Sequence, residues 1–254
     1  MKGHNNAVLE VAWSYDNENV VSSSADKSVA LWDAVTGSRV RKSHHASFVN
    51  SVSYVKQGSP LYVSGSDDSA IKLWDARSKG CVQTYNSEYS VLSVSFNNDN
   101  NQIISGGIDN VIKLWDIRKG NLFLELEGHT DSVTGIKVSP DGNYLLSNSM
   151  DNTLRIWDIK PYASGDRCLK IFVGATHNFE KSLLRCSWSP DGTKISAGSS
   201  DRFVYIWDTT SRKVLYKLPG HKGSVNEVDF HSKEPIIASC SNDQSIYLGE
   251  IKPQ

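Results

Sequence analysis

Residues Gly128–Asp158, GHTDSVTGIKVSPDGNYLLSNSMDNTLRIWD, contain the pattern from which the whole chain is built. The stretch begins with Gly128-His129, passes through Asp151 and ends at Trp157-Asp158. Trp-Asp or a remnant of it recurs at positions 32, 74, 115, 157, 207 and 249, with spacings of 42, 41, 42, 50 and 42 residues. The chain is therefore a series of six copies of one unit.

Within each copy, the apolar residues alternate with polar ones, as in Leu154 and Ile156. Period-two alternation places such side chains on one face of a β-strand, and turn residues such as Pro140-Asp141-Gly142 separate the strands. A repeat of roughly 40–45 residues with Gly-His and Trp-Asp marks is typical of a β-propeller blade. The sequence resembles the WD40-repeat family over nearly its whole length. We expect an all-β fold with four-stranded antiparallel blades and no helices.

The six repeats are expected to end near the Trp-Asp positions, in one domain that spans residues 1–254. The predicted ends are Asp33, Asp75, Asp116, Asp158, Asp208 and Glu250. Only three residues precede His4 and four follow Glu250, so neither end offers an outer strand for the last blade. The last blade should then have three strands and an exposed edge. Either the ring is six-bladed with an imperfect seam, or one blade is missing from this chain.

The fourth interval differs from the others because it carries extra residues. The segment from Trp157 to Leu183 is nine residues longer than the segment from Trp74 to Val91. About four of the extra residues fall around Pro161–Asp166 and about five within Val173–Ser182. Loops of repeat proteins often carry their binding function, so both insertions are candidate functional segments.

The composition argues against several classes of function. The chain of 254 residues has a net charge of −1 and a pI of about 6.6, without a basic run. Direct nucleic-acid binding through phosphates therefore has no support, although it is not excluded. The four cysteines form no C-x-x-C pair. Cys186 and Cys240 fall on predicted strands, where a small buried hydrophobic side chain is favoured over a redox or metal site. We expect no cofactor, no metal, no small-molecule substrate and no membrane partner.

Histidine, serine, aspartate and tryptophan recur together in three copies. These quartets are His4, Ser22, Asp26, Trp32; His45, Ser64, Asp68, Trp74; and His129, Ser147, Asp151, Trp157. A hydrolase triad would use similar residues, but catalysis needs one site and this set is repeated. The WD40 resemblance implies instead a buried hydrogen-bonded network in each blade, so no enzyme is expected. Other copies are degenerate: Ser87 replaces His, Ala197 replaces Ser with Phe179 near the His position, and Gly249 replaces Trp.

If the four strands of a blade are labelled a to d in chain order, the loops that join d to the next a and the turns that join b to c share one face. A protein-binding surface is predicted on that face. Its residues lie at fixed offsets from the quartet positions, or in the Val173–Ser182 insertion. They are Leu9, Phe48, Asn50, Asp67, Leu92, Ile108, Met150, His177, Phe179, Lys181, Leu184, Asn226 and Asn242. An apolar patch with a polar rim is typical of a protein interface. Alternatively, some of these side chains turn inward and line the central channel that a propeller encloses.

Two further resemblances imply partners. Trp74-Asp75-Ala76-Arg77 and Trp115-Asp116-Ile117-Arg118 resemble the W-D-x-R box with which substrate receptors of cullin-4 ubiquitin ligases dock their adaptor. An exposed arginine that pairs weakly with a nearby carboxylate is the simpler interpretation of Arg77 and Arg118.

The second resemblance is to the WD-repeat proteins of the U5 small nuclear ribonucleoprotein, a component of the spliceosome. The segments that carry it are 102–115, 144–152, 177–192 and 201–221, including the HNFEK stretch at His177–Lys181. This family has seven repeats and an N-terminal tail, and the chain begins at what would be the second repeat. The resemblance implies a nuclear scaffold in pre-mRNA splicing that contacts the large U5 scaffold protein, with U5 RNA contacted indirectly.

Overall fold

The computed structural model describes residues 2–163 and 165–251, and it contains antiparallel sheets built from consecutive strands. The chain divides into two compact units, Met1–Glu127 and Gly128–Gln254. Each unit contains three sheets, and neighbours in every sheet follow chain order. The expected all-β class is confirmed, and the described residues form no helix. The single domain over residues 1–254 remains a prediction.

The first unit contains three four-stranded sheets. Its strands are β1 (Val8–Trp13), β2 (Asn19–Ser24), β3 (Ser28–Asp33) and β4 (Arg39–His44); β5 (Val49–Tyr54), β6 (Leu61–Ser66), β7 (Ala70–Asp75) and β8 (Cys81–Asn86); and β9 (Val91–Phe96), β10 (Gln102–Gly107), β11 (Ile112–Asp116) and β12 (Asn121–Leu126). We call the first strand of each sheet its inner strand. The inner strands of these three sheets, β1, β5 and β9, lie next to one another in that order.

The second unit contains two four-stranded sheets and one three-stranded sheet. Its strands are β13 (Val133–Val138), β14 (Tyr144–Ser149), β15 (Thr153–Asp158) and β16 (Cys168–Val173); β17 (Cys186–Trp188), β18 (Lys194–Gly198), β19 (Val204–Asp208) and β20 (Val214–Leu218); and β21 (Val225–Phe230), β22 (Ile236–Ser241) and β23 (Ile246–Glu250). The three-stranded last blade is confirmed for the described residues. Residues Lys252–Gln254 lie outside them.

The cores form where the alternating apolar residues predict. Ile71 and Leu73 of β7 are buried in one cluster of the first unit, together with Val49 and Val52 of β5. Leu154 and Ile156 of β15 are buried in a cluster of the second unit. Because these side chains share one face of their strands, each sheet packs its apolar face against the next sheet of its unit.

The turn between β13 and β14 depends on three residues of the Ser-Pro-Asp-Gly sequence. The Ser139 hydroxyl donates to Asp141 Oδ1 (2.5 Å), and the Gly142 amide donates to the Ser139 carbonyl (3.0 Å). Gly142 has φ of +76°, a left-handed conformation that glycine adopts without steric cost. This turn fixes where β14 begins.

The extra residues of the fourth interval lie where the sequence predicts. Nine residues separate β15 from β16, against five between β7 and β8. Twelve residues separate β16 from β17, against four between β8 and β9. Leu183 stands at the position that Val91 takes at the start of β9, but it is not part of the inner strand of its own sheet. The Arg185 amide donates to the Asn226 carbonyl (2.8 Å) instead of pairing with β18, so β17 begins only at Cys186.

Candidate protein-binding surfaces

The three predicted quartets form hydrogen-bonded networks of nearly identical geometry. In the sheet β13–β16, His129 Nδ1 lies 2.8 Å from Asp151 Oδ2, and His129 Nε2 lies 2.7 Å from Ser147 Oγ. The Trp157 indole donates to the same hydroxyl (2.8 Å). When His129 carries its proton on Nδ1, it donates to Asp151 and accepts from Ser147, so all the polar groups are satisfied.

The other two networks repeat these contacts. His4 and His45 lie 3.1 and 3.0 Å from their aspartates and 2.7 and 2.8 Å from their serines. Trp32 and Trp74 each donate to the serine of their quartet at 2.8 Å. The turn aspartate also accepts a backbone amide of the preceding loop, as Asp151 does from Thr130 (3.1 Å). Each quartet therefore ties a loop to a turn and to a strand.

The surroundings of the quartets shift the pKa values of Asp151 and His45 downward. Burial alone would raise the pKa of Asp151, but hydrogen bonds from His129, Thr153 and the Thr130 amide outweigh burial and hold the pKa well below its usual range. Desolvation lowers the pKa of His45 despite the opposing attraction of Asp68. A neutral histidine whose hydrogen-bonding groups are all satisfied stabilises the fold.

A fourth network of the same kind was missed by the sequence analysis. His221 Nδ1 lies 3.1 Å from Asp243 Oδ2, and His221 Nε2 lies 2.8 Å from Ser239 Oγ. The offsets of 22 and 18 residues match those of the third quartet. The spacing that indicates this network was therefore present in the sequence, but the network lacks the tryptophan, which Gly249 replaces. The Tyr247 ring packs 4.5 Å from the imidazole instead.

In the two remaining sheets, which lack the histidine, a lysine side chain pairs with the turn aspartate. Trp115 donates to Ser105 (2.8 Å), while Lys113 pairs with the turn aspartate Asp109 (2.6 Å). In the sheet β17–β20, Tyr205 donates to Asp201 (2.6 Å) and Lys217 pairs with the same carboxylate (3.2 Å). The expectation that Phe179 lies near the histidine position was wrong, because its side chain is 91% exposed.

All six sheets share one backbone contact that defines a common end. The amide at the start of each b–c turn donates to a carbonyl of the loop before the inner strand. The pairs are Ala25–Ala7, Asp67–Phe48 and Ile108–Ser90 in the first unit, and Met150–Ser132, Ser200–Thr176 and Asn242–Ser224 in the second. We call this the loop end of the sheets in each unit, and the predicted binding residues lie near it.

Several predicted surface residues are exposed at the loop end. In the first unit, Phe48 and Ile108 are exposed, and Leu9 and Asp67 are half-buried. In the second unit, Phe179, Lys181 and Asn242 are exposed, whereas Met150, His177 and Asn226 are half-buried. These residues are accessible to a partner, and their role remains a proposal.

Asn50, Leu92 and Leu184 must be removed from the candidate surface, because all three are buried. Asn50 sits at a β-bulge in β5, between Val49 and Ser51, and its amide donates to Asp67 Oδ1 (2.6 Å) and to the Val91 carbonyl (3.0 Å). Bulges re-aim side chains, here into the interior. These three residues therefore follow the alternative in which side chains turn inward.

The long insertion between β16 and β17 is attached to the neighbouring sheet. The His177 amide donates to Asn152 Oδ1 (2.6 Å), and the Lys181 amide donates to the Asn178 carbonyl (3.2 Å). The His177 ring nitrogens are buried without a hydrogen-bond partner among the described residues. Desolvation lowers the pKa of His177 to about 4, against the attraction of Asp151 and Asp131. The anchored loop thus presents Phe179 to solvent.

The arginines of the two W-D-x-R boxes lie at c–d turns. Arg77 donates to its own Asp75 through Nε (3.0 Å) and Nη2 (2.8 Å), and its side chain is largely exposed. Arg118 is exposed as well, and its amide donates to Asp116 (2.8 Å). The structure gives the ligase interpretation no support, since Arg77 pairs within its own turn as the simpler interpretation requires.

Within residues 2–163 and 165–251, no group of three or more His, Cys, Asp or Glu side chains could hold a metal ion. None of these residues form a helix long and apolar enough to cross a membrane.

Repeated antiparallel sheets with buried His-Ser-Asp-Trp networks define a WD40-type propeller protein. The family model for the WD domain, G-beta repeat, matches residues 1–33, 37–75, 79–116, 120–158, 166–208 and 212–248. These matches cover most of the chain and end near the predicted repeat ends.

Curated relatives extend the similarity to individual proteins. The chain is 57% identical over 221 residues to the human U5 small nuclear ribonucleoprotein 40 kDa protein, covering 87% of this chain and 62% of that protein. It is 51% identical over 255 residues to the Dictyostelium discoideum protein of the same name, with 100% and 72% covered. It is also 46% identical over 252 residues to the Schizosaccharomyces pombe pre-mRNA-splicing factor cwf17, with 99% and 74% covered. The chain therefore belongs to the WD40 family, within the group that these proteins form.

Proposed function

We propose that the chain is a non-catalytic protein-interaction scaffold of the U5 small nuclear ribonucleoprotein that acts in pre-mRNA splicing in the nucleus. The names of the relatives support this assignment. The chain spans 62% of the length of its human relative, so the proposal concerns the blades that are present. Its chief partner is the large U5 scaffold protein, and U5 RNA is contacted indirectly.

The observation that carries the proposal is the insertion loop between β16 and β17. Phe179 is 91% exposed on a backbone that is held to Asn152. An exposed aromatic side chain on a fixed loop loses little conformational entropy on binding and buries a large apolar area. Lys181 lies beside it on the same exposed segment and supplies a polar rim.

The non-catalytic part of the proposal rests on the quartets. Their hydroxyl and imidazole groups are buried and already hydrogen-bonded to one another. A nucleophilic serine must instead be accessible to a substrate and lie beside an oxyanion site. A network that recurs in four sheets supports a structural role.

The test is affinity purification of the tagged chain from nuclear extract. The proposal predicts recovery of spliceosomal proteins together with U5 RNA. Recovery of a cullin-4 adaptor without spliceosomal proteins would contradict it. The matched control is the double variant Arg77→Ala with Arg118→Ala, which should retain the splicing proteins. Loss of U5 recovery in that variant would favour the arginine boxes.

A further inference from the structure

A second exposed surface lies in the first unit, at the loop end of the sheets β5–β8 and β9–β12. Three large apolar side chains are about half exposed there: Phe48 at 45%, Tyr89 at 49% and Ile108 at 46%. Tyr89 was not among the residues that the sequence analysis selected. Single exposed apolar residues are normal in proteins, so the question is whether these three form one patch.

Backbone contacts join the segments that carry the three side chains. The Asp67 amide donates to the Phe48 carbonyl (2.9 Å), and the Ile108 amide donates to the carbonyl of Ser90, next to Tyr89 (3.2 Å). The Ser90 hydroxyl donates to the Asp67 carbonyl (3.3 Å), which links the two sheets. The segments that carry the three side chains are therefore linked across two neighbouring sheets.

A glycine allows the β10–β11 turn to approach the loop before β9. A Cβ atom added at Gly107 would lie 2.3 Å from the Ser90 carbonyl oxygen, a distance that real side chains do not reach. Since the obstacle is backbone, a larger residue at this position would push the β10–β11 turn away from the loop that carries Tyr89. Gly107 thus allows the segments of Ile108 and Tyr89 to lie close together.

Asp67 belongs to one of the segments that form this surface, and its side chain is half-buried. Its Oδ1 accepts the Asn50 side-chain amide (2.6 Å), and Asn50 is held in turn by the Val91 carbonyl (3.0 Å). No ion pair in the described part of the chain involves Asp67. The carboxylate is positioned by Asn50, and its charge is uncompensated.

The surroundings of Asp67 add negative charge. Glu88 is exposed next to Tyr89, and no ion pair in the described residues involves it. Asp109, beside Ile108, is by contrast neutralised by Lys113 (2.6 Å). A partner that covers this surface should therefore bring positive charge, because burying an unpaired carboxylate is strongly unfavourable.

We propose that the surface formed by Phe48, Asp67, Glu88, Tyr89 and Ile108 binds an apolar protein segment that carries one lysine or arginine side chain. The cation pairs with Asp67, and the aromatic rings of Phe48 and Tyr89 attract it further. The apolar neighbours of the cation pack on Ile108 and the rings. RNA is a poor occupant because its phosphates would meet Asp67 and Glu88. The inference rests on the proposed function, since it specifies how such a scaffold recognises one partner.

The experiment uses the full chain and a phage library of random twelve-residue peptides. Enriched peptides are synthesised, and their dissociation constants are measured with the wild type, with Asp67→Asn and with Phe48→Asp. The expected peptides carry lysine or arginine next to apolar residues, and Asp67→Asn weakens their binding about tenfold or more. Replacing the peptide's cation by glutamine should cause the same loss, with no further loss in Asp67→Asn.

Two controls keep the result specific. Asp67→Asn retains an oxygen that can accept the Asn50 amide, and its melting temperature should match the wild type. Asp99→Asn changes an exposed carboxylate elsewhere in the first unit, in the turn between β9 and β10, and should bind every peptide normally. Acidic or uncharged peptides, a second copy of the chain, or an RNA oligonucleotide as the preferred occupant would overturn the inference. So would a selection in which no peptide depends on Asp67 or Phe48.

The outcome is separable from that of the proposed function. A chain that recovers no spliceosomal protein but binds basic apolar peptides through Asp67 would contradict the proposed function and support this inference. A chain that recovers the U5 particle, while Asp67→Asn binds all selected peptides as well as the wild type, would contradict this inference alone.

Discussion

The carboxylate of Asp151 lies 2.8 Å from Nδ1 of His129, and their side chains are only 6% and 0% exposed. The pair is closed off from solvent and saturated by Ser147, Thr153 and the Thr130 amide. Such a pair stabilises a turn and leaves nothing free to react. The exposed loop residues are then the part of the molecule that is available to partners.

Asp151→Ala should lower the free energy of unfolding by about 2–3 kcal/mol, because His129 and two backbone amides lose their acceptor in a buried site. Thermal and urea unfolding measure the loss. Asp99→Ala, in an exposed turn, is the control and should match the wild type. An unchanged melting temperature for Asp151→Ala would argue against the network.

His177 should make stability depend on pH. Burial lowers its pKa from 6.5 to about 4, so the folded state favours the neutral ring. The contribution is complete above about pH 6.5 and is lost as the pH falls toward 4, where the loss reaches up to about 3 kcal/mol.

His177→Leu should remove this dependence, since leucine does not titrate. It should cost little at pH 7, because the ring nitrogens have no hydrogen-bond partner among the described residues. Urea unfolding of both proteins between pH 4 and pH 7 gives the difference. Parallel curves for the two proteins would show that His177 does not titrate as described.

Gly198→Ala should destabilise the second unit. A Cβ atom at Gly198 would lie 2.0 Å from the Val225 carbonyl oxygen, so β18 and β21 would have to separate. We expect the free energy of unfolding to fall by about 1–3 kcal/mol. Gly249→Ala is the matched control, since its Cβ would meet only Ile237 Cγ2 at 3.6 Å. Equal melting temperatures of the two variants would refute the close approach.

Arg77→Ala should leave the melting temperature unchanged. The guanidinium pairs with Asp75 in a turn where the arginine side chain is 66% exposed, and exposed ion pairs contribute little to stability. Differential scanning calorimetry at low and high salt tests this. A clear loss at low salt would mean that the Arg77–Asp75 pair stabilises the turn.

The sheets and the first three quartets could be predicted because both follow fixed spacings. Asp151 lies at the same offset from Trp157 as Asp68 from Trp74, and such a repeat is visible in the sequence. The interior position of Asn50 could not be predicted, because a β-bulge interrupts the alternation on which strand patterns depend.

Leu92 and Leu184 were misplaced for related reasons. Leu92 lies at the register shift in the pairing of β9 with β10, between the paired residues Val91 and Ser93. Leu184 belongs to an irregular segment before β17. Tyr89 was missed because its exposure depends on a loop conformation that no residue spacing encodes. Where the chain departs from period two, tertiary contacts rather than sequence pattern decide where side chains point.

The central claim is that buried quartets hold the sheets while the exposed loops bind partners. Phe179→Asp tests it most directly when recovery of spliceosomal proteins from nuclear extract and the melting temperature are measured on one preparation. The account predicts a wild-type melting temperature and a marked loss of recovered proteins, since Phe179 contacts solvent and not the core. Full recovery of the same proteins by Phe179→Asp would contradict the account.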